Sequence, residues 1–523
     1  MKIKLLNYFL LILVNLIVYS RSLFNDFCYD ENIVILKNEN VQKDGQILNI
    51  FKSSYWGSSE QGAAAKSYGY RPLTILSFYL NRKISGSEPF GYHLTNVVLH
   101  TAVSLLFYAF LLSLRFSTVM AMGGGILFSV HAIHTEAVSQ IAGRAELLSS
   151  LFVLLCLFCH IYITRKETNW GLNFWTFCWV AAPLCFFAGM LAKENAGSLL
   201  IFTICTDFLI LRNRRHKEDA FFKCKWHVYV MYLIVIVFFL LIRWLLFGRP
   251  FPLFNVHFVD NPIVSMPSYL RPFGALLVFG KVVLLLLFPL HLSADYGFNQ
   301  LPVNEFYKSG LFYFGAITVI SVTCMLLVLR KRLRLALYGW ILFVLTYLPV
   351  MNVLFPVHTI LGERILYIPS IGFCIFIIGL AQIAISSKQR ILKWGVITIF
   401  TGGIIFNFIR TIVRNGDWKN DITLFESAAK VSTNSVRVLN NYGNVLFMRG
   451  EFEKAEEYYR KALQIFPEYD DAAINLASVL IRKGEVGEAV SILRNVLRRK
   501  PDNMMAKKNL EIAIKLKQNG MRY

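Results

Sequence analysis

For most of its length the chain alternates long apolar runs with short polar breaks. Runs of the about 17–25 residues that a helix needs to cross a bilayer fall near 5–24, 94–114, 117–134, 146–164, 173–191 and 196–211. More follow near 226–246, 271–290, 309–329, 336–355, 365–386 and 394–412. Each predicts a helix. The first run ends in Tyr19-Ser20-Arg21, without a small-x-small cleavage site, so it is expected to remain as an anchor. The run at 271–290 carries Pro272, Gly274, Gly280, Lys281 and Pro289. It is expected to dip into the membrane and return, because irregular backbone is tolerated there only when protein or water surrounds it.

Basic residues clump beside these runs. Lys2 and Lys4 precede the first, and Arg115, Arg165-Lys166, Arg212 to Lys217, Arg330 to Arg334 and Lys388 to Lys393 follow others. Short basic loops mark the cytosolic side. Counting across them predicts about eleven crossings plus the re-entrant segment, with the N-terminus cytosolic and the C-terminus on the far side.

Beyond residue 416 the pattern changes to charged, amphipathic helices. A shift of 34 superposes Asn441 on Asn475 and Asn509, Gly450 on Gly484, Ala455 on Ala489, and Pro467 on Pro501. Small residues where helices cross, and proline closing the second helix of each pair, spell the tetratricopeptide repeat (TPR). The expected organisation is all-α. A membrane domain spans 1–416, with its first loop at 25–93. A short TPR solenoid spans 417–523, made of a degenerate element (417–432), repeats at 433–467 and 468–501, and a terminal helix at 505–518.

Composition agrees with this division. Apolar residues make up 56% and charged residues 16%, against about 25% charged in soluble domains, which excludes a soluble enzyme. The net charge of +22 sits in the loops, without the interleaved aromatics that nucleic acid binding needs. The nine cysteines lie mostly inside apolar runs and suggest no disulfide framework. Cys156-x-x-Cys159-His160 spells a haem attachment motif but sits at the end of an apolar run, where packed thiols are the better reading.

On the predicted topology one face collects Asp26, Asp30, Glu31, Arg71, His93, His131, His134, Glu136, Arg144, Glu146, Lys193, Glu194, Glu363 and Arg364. Ionisable groups at span ends are costly unless paired or hydrated, so their concentration points to a site for an anionic substrate beside the bilayer. Snorkelling side chains and ion pairs locking helices together are the plainer account of any single member.

The stretches FNDFCYDENIVI, SYGYRPLTILSFYLNRKISGSEPFGYHLTNVVLH, SVHAIHTEAVSQIAGRAELLSS, LAKEN and LGERILYIPSIG occur in this order ahead of the repeats. In this the chain resembles the transmembrane and tetratricopeptide-repeat (TMTC) family of protein O-mannosyltransferases. The resemblance implies a GT-C-type membrane fold in the endoplasmic reticulum with the repeats luminal. It also implies dolichyl-phosphate-mannose as donor substrate with no further cofactor, and Ser/Thr hydroxyls of secretory proteins, cadherin domains among them, as acceptors. The chain has fewer repeats than family members usually carry.

Such a transfer needs a base for the acceptor proton and charge stabilisation for the departing phosphate. The resemblance places an acidic pair in the first loop, so Asp30 is expected as the base, with Glu31 positioning the acceptor or the base itself. Arg364, Arg71 and Arg144 are expected at the donor phosphate, because arginine's planar fork suits it better than lysine. His131, His134 and Glu363 are expected beside them. The His131-x-x-His134-x-Glu136 spacing also suits a metal, but helix capping and contact with sugar or phosphate are preferred. The repeats are expected to recruit acceptors without taking part in catalysis. Two other classes fit less well: a non-catalytic membrane scaffold that recruits partners through its repeats, and a transporter, which would show internal symmetry and mid-span charges.

Overall fold

The computed structural model describes residues 2–57, 69–165, 171–211, 219–251 and 256–519. The protein is 78% helical, with no strand among the described residues. Among the described residues, eight helices are long and apolar enough to cross a membrane: Leu5–Phe24, Pro89–Ser113, Ile141–Thr164, Phe174–Ala192, Trp226–Phe247, Gly310–Val328, Arg364–Ile385 and Arg390–Asp417. A ninth candidate is the pair Thr118–Val130 and Ala132–Ser139, bent by 44°. Large apolar side chains such as Phe9, Val237, Ile317 and Ile399 face outward, as helices solvated by lipid require.

Two expected spans come out short. The run at 196–211 forms Leu199–Cys205 followed by a π-helical turn, Thr206–Leu211, and 336–355 gives Arg334–Val350. The expected dip at 271–290 is an unbroken helix, Arg271–Leu287. Its proline lies in the first turn, where a missing N–H costs nothing. Gly280 and Gly315 let it pack backbone to backbone against Gly310–Val328, since a methyl on either would strike a carbonyl of the other helix. The glycines therefore serve packing, and the break falls elsewhere, at His131, whose extended backbone (ψ 121) divides the bent pair. Of the basic clumps, Lys166 and Arg212 to Lys217 lie outside the described residues; Arg330, Lys331 and Arg332 are exposed.

Among the described residues, the C-terminal part has six helices, Asp421–Val431, Val436–Met448, Phe452–Ile465, Asp470–Lys483, Val486–Arg499 and Met504–Asn519. Ala455, Ala489 and Gly443 allow the crossings, and Gly484 ends its helix in the left-handed conformation, φ 83. This solenoid is docked on loops of the membrane part. Arg437 pairs with Asp260 and lies 3.8 Å from Asp295. The Asp295 carboxylate accepts from Ser435 Oγ at 2.9 Å, and Ser432 Oγ donates to Ser293 Oγ at 2.8 Å. The rings of Phe258 and Phe298 pack against Phe466 of the solenoid.

Candidate functional site

Beside this docked face three loops bring ionisable side chains together. Asp30 follows the first span, Glu136 and Gln140 come from the bent segment, and Arg364 opens the turn before Tyr367–Ile385. Tyr29 adopts a left-handed backbone, φ 55, which redirects the chain. The Asp30 carbonyl then accepts from the Ile33 and Val34 amides at 3.1 and 2.9 Å and opens the turn Asn32–Leu36.

Arg364 Nη1 donates to Asp30 Oδ2 at 3.1 Å and to Gln140 Oε1 at 2.9 Å, and lies 3.4 Å from Glu136 Oε1. Glu136 Oε2 accepts from the Arg364 backbone N–H at 2.9 Å. Arg364 and Asp30 keep 31% and 18% of their side-chain surface in solvent, and Glu136 only 4%. The pair thus opens outward with Glu136 behind it. The Gln140 side-chain nitrogen is buried with no partner among the described residues, a donor that a ligand oxygen could satisfy.

A second group lies nearby. Glu194 accepts from Arg71 Nε at 3.1 Å and from the Tyr70 amide at 3.0 Å, and Arg243 Nη1 lies 3.3 Å away. Burial pushes the Glu194 carboxyl up, but Arg71 and Arg243 outweigh it and hold the group below the usual carboxylate range. The Arg71 guanidinium stacks 4.9 Å from the Tyr55 ring. Lys193 pairs with Glu146, whose other oxygen accepts from Asn195 at 2.6 Å. Burial lowers the Lys193 ammonium, and repulsion from Arg71 and Arg364 acts in the same direction. Arg71, Lys193 and Arg364 are therefore close enough to feel one another, and each is held by a carboxylate, Glu194, Glu146 and Asp30 in turn.

The other expected site residues are engaged elsewhere. Glu31 is fully buried, accepting from the Cys28 amide at 2.8 Å and the Ile141 amide at 2.5 Å. Burial pushes its carboxyl up to about 8. Contact with an acceptor is closed to it; bracing the loop that carries Asp30 is what its geometry supports. Arg144 is buried and donates to Asn96 Oδ1 at 2.8 Å, Asn81 Oδ1 at 2.5 Å and the Tyr92 carbonyl at 2.9 Å. All three of its nitrogens are used in joining helices, which leaves none for a phosphate.

His131 spans from the Leu286 carbonyl (2.9 Å) to the Ile133 amide (3.2 Å), which it caps. His134 joins the Phe128 carbonyl (2.9 Å) to Ser370 Oγ (2.8 Å). With both ring nitrogens of each occupied and both rings buried, neither histidine is placed to touch sugar or phosphate. Glu363 is buried, accepting from the Ser293 amide at 2.6 Å and Tyr296 OH at 2.8 Å, 3.6 Å from Arg414. It anchors the turn that presents Arg364. A 340 Å³ hollow lined by Arg332, Arg334, Gln382 and Ser386 lies at the opposite end of Tyr367–Ile385 from Arg364, and so belongs to another surface.

Sequence reasoning missed Gln140 and Arg243. A lone arginine in LLIRWLL was a legible signal, because an ionisable group inside an apolar run is functional by default. Gln140 offered none.

Comparison with known proteins finds a repeat family near the C-terminal end and relatives along most of the chain. The tetratricopeptide repeat family matches residues 446–508. Over 88% of its length the chain is 29% identical to the mouse protein named Protein O-mannosyl-transferase TMTC3, of which it covers 51%. The human Protein O-mannosyl-transferase TMTC2 is 30% identical over 86% of this chain and 61% of its own. The Caenorhabditis elegans Protein O-mannosyl-transferase F38B6.6 is 28% identical over 89% and 63%. The chain thus spans from about half to under two thirds of the length of these relatives.

Proposed function

We propose that this chain, which the TMTC proteins match over most of its length, transfers mannose from dolichyl-phosphate-mannose to Ser/Thr hydroxyls of secretory or membrane proteins, cadherin domains among them, in the endoplasmic reticulum lumen. The observation that carries the reading is the half-open Asp30–Arg364 pair, with the Arg71–Glu194 and Lys193–Glu146 pairs nearby. Asp30, paired with Arg364, takes the acceptor proton. The hydroxyl oxygen bonds to the anomeric carbon as the bond to the lipid phosphate oxygen breaks. The leaving phosphate meets Arg364, Arg71 and Lys193, whose field is strongest where water is excluded. One displacement inverts the centre, so a β-linked donor gives an α-mannoside, and no carboxylate nucleophile is needed.

The test is mass spectrometry of O-mannose on secretory acceptors in cells whose sole such transferase is this chain. Asp30→Asn should lower occupancy sharply at normal expression, because a missing general base costs about 10²–10⁴-fold in rate. Full occupancy would sink the reading and favour a non-catalytic scaffold.

A further inference from the structure

The segment that precedes Asp30 is stitched to the end of Arg390–Asp417 and the start of the C-terminal helices. Asn25 Nδ2 donates to the Asn415 carbonyl at 3.0 Å, and the Asp26 amide to the Lys419 carbonyl at 2.8 Å. The Tyr29 amide then donates to Asp421 Oδ1 at 2.6 Å, and the Tyr29 ring meets the Phe425 ring edge-on at 5.5 Å. Asp421 is the first residue of Asp421–Val431, a helix whose start is fixed independently by the reciprocal Asn420–Thr423 cap. Tyr29 is a bulky residue held in a left-handed conformation that costs energy for any side chain beyond glycine. Such a conformation persists only where its surroundings impose it. The one charged acceptor on its amide is Asp421, and the next residue is Asp30.

We propose that Asp421 is a positioning residue for Asp30: by holding Tyr29 in its left-handed turn, the first C-terminal helix sets where the Asp30 carboxylate meets Arg364 and the acceptor hydroxyl. The inference rests on the reading of Asp30 as the base. It makes Asp421–Val431 part of the catalytic centre, ahead of the repeats proper. Arg364 is steadied from the same side, because Glu363 accepts from the amide of Ser293, whose hydroxyl accepts from Ser432.

The experiment uses the full chain in detergent with dolichyl-phosphate-mannose and a purified cadherin domain, beside hydrogen exchange of the same variants. Asp421→Ala should lower kcat about 10- to 100-fold, the scale of a small misplacement of a reacting group, with the KM for donor unchanged. Exchange should speed up at 26–36 and stay unchanged across 436–499. Asp421→Asn keeps an oxygen for the Tyr29 amide and should restore most of the rate. Adding Tyr29→Gly to Asp421→Ala should recover part of it, because glycine adopts the left-handed turn unaided; a merely structural defect in the helical part would gain nothing. Wild-type kcat and exchange in Asp421→Ala would overturn the proposal, as would loosening spread through 436–499 without rescue. If Asp30→Asn proves fully active, the base assignment fails separately; faster exchange confined to 26–36 in Asp421→Ala would then still establish the hold on the loop, and unchanged exchange would refute it.

Discussion

Arg364 reaches Asp30 at 3.1 Å across 334 positions of sequence. The same guanidinium also touches Gln140 and Glu136, so one planar group holds the base and orders the bent segment.

Arg364→Lys keeps the charge but loses the planar guanidinium whose Nη1 meets Asp30, Gln140 and Glu136 together. Transfer should fall about 10- to 100-fold, the range for a mispositioned group, with a raised KM for donor. Steady-state kinetics on the purified chain checks this, and kinetics unchanged from wild type would remove the arginine from the site.

Arg144→Met should act on folding. It leaves Asn96 Oδ1, Asn81 Oδ1 and the Tyr92 carbonyl buried without their donor, a loss of about 3 kcal/mol or more. Thermal unfolding in detergent should shift down, while donor KM per folded molecule stays at the wild-type value. A selective rise in KM would restore Arg144 to donor binding.

Glu31 sets a pH dependence of stability. Its folded carboxyl is raised by burial to about 8, against about 4.3 in an unfolded chain. Between these values the folded state holds the extra proton, so stability falls as pH rises through the window and levels off above it. Unfolding temperatures measured from pH 5 to 9 should decline, and less steeply in Glu31→Gln. An equal slope in the variant would assign the effect to other groups, such as Glu363, which burial raises to about 7.

Truncations should separate docking from recruitment. Removing 433–523 strips Asp295 of Ser435 and Arg437. The shortened chain should lose transfer even to a short Ser/Thr peptide. Ending the chain after residue 501 keeps those contacts and should retain peptide transfer while using folded acceptors less well. Peptide-transfer rates of the two truncations decide this.

The sequence by itself determined the parts that depend on neighbours along the chain. Length and apolarity set Pro89–Ser113 and Trp226–Phe247 as spans, because a helix closes its own backbone bonds and lipid asks only for an apolar surface. The 34-residue period set the C-terminal helices for the same reason, since each repeat packs on the next. Asp30 and Arg364 could be nominated from the quoted stretches, but nothing local distinguishes them from Arg144, His131 and His134. Whether a polar side chain is open or spent depends on partners such as Asn96, Leu286 and Ser370, which lie 48, 155 and 236 positions away. Hydrogen-bond donors are few and directional, so only the assembled helices decide which are consumed inside and which stay free. That is why only the tertiary structure showed Arg144, His131 and His134 to be spent inside, and brought Arg364 to Asp30 and Asp421 to Tyr29.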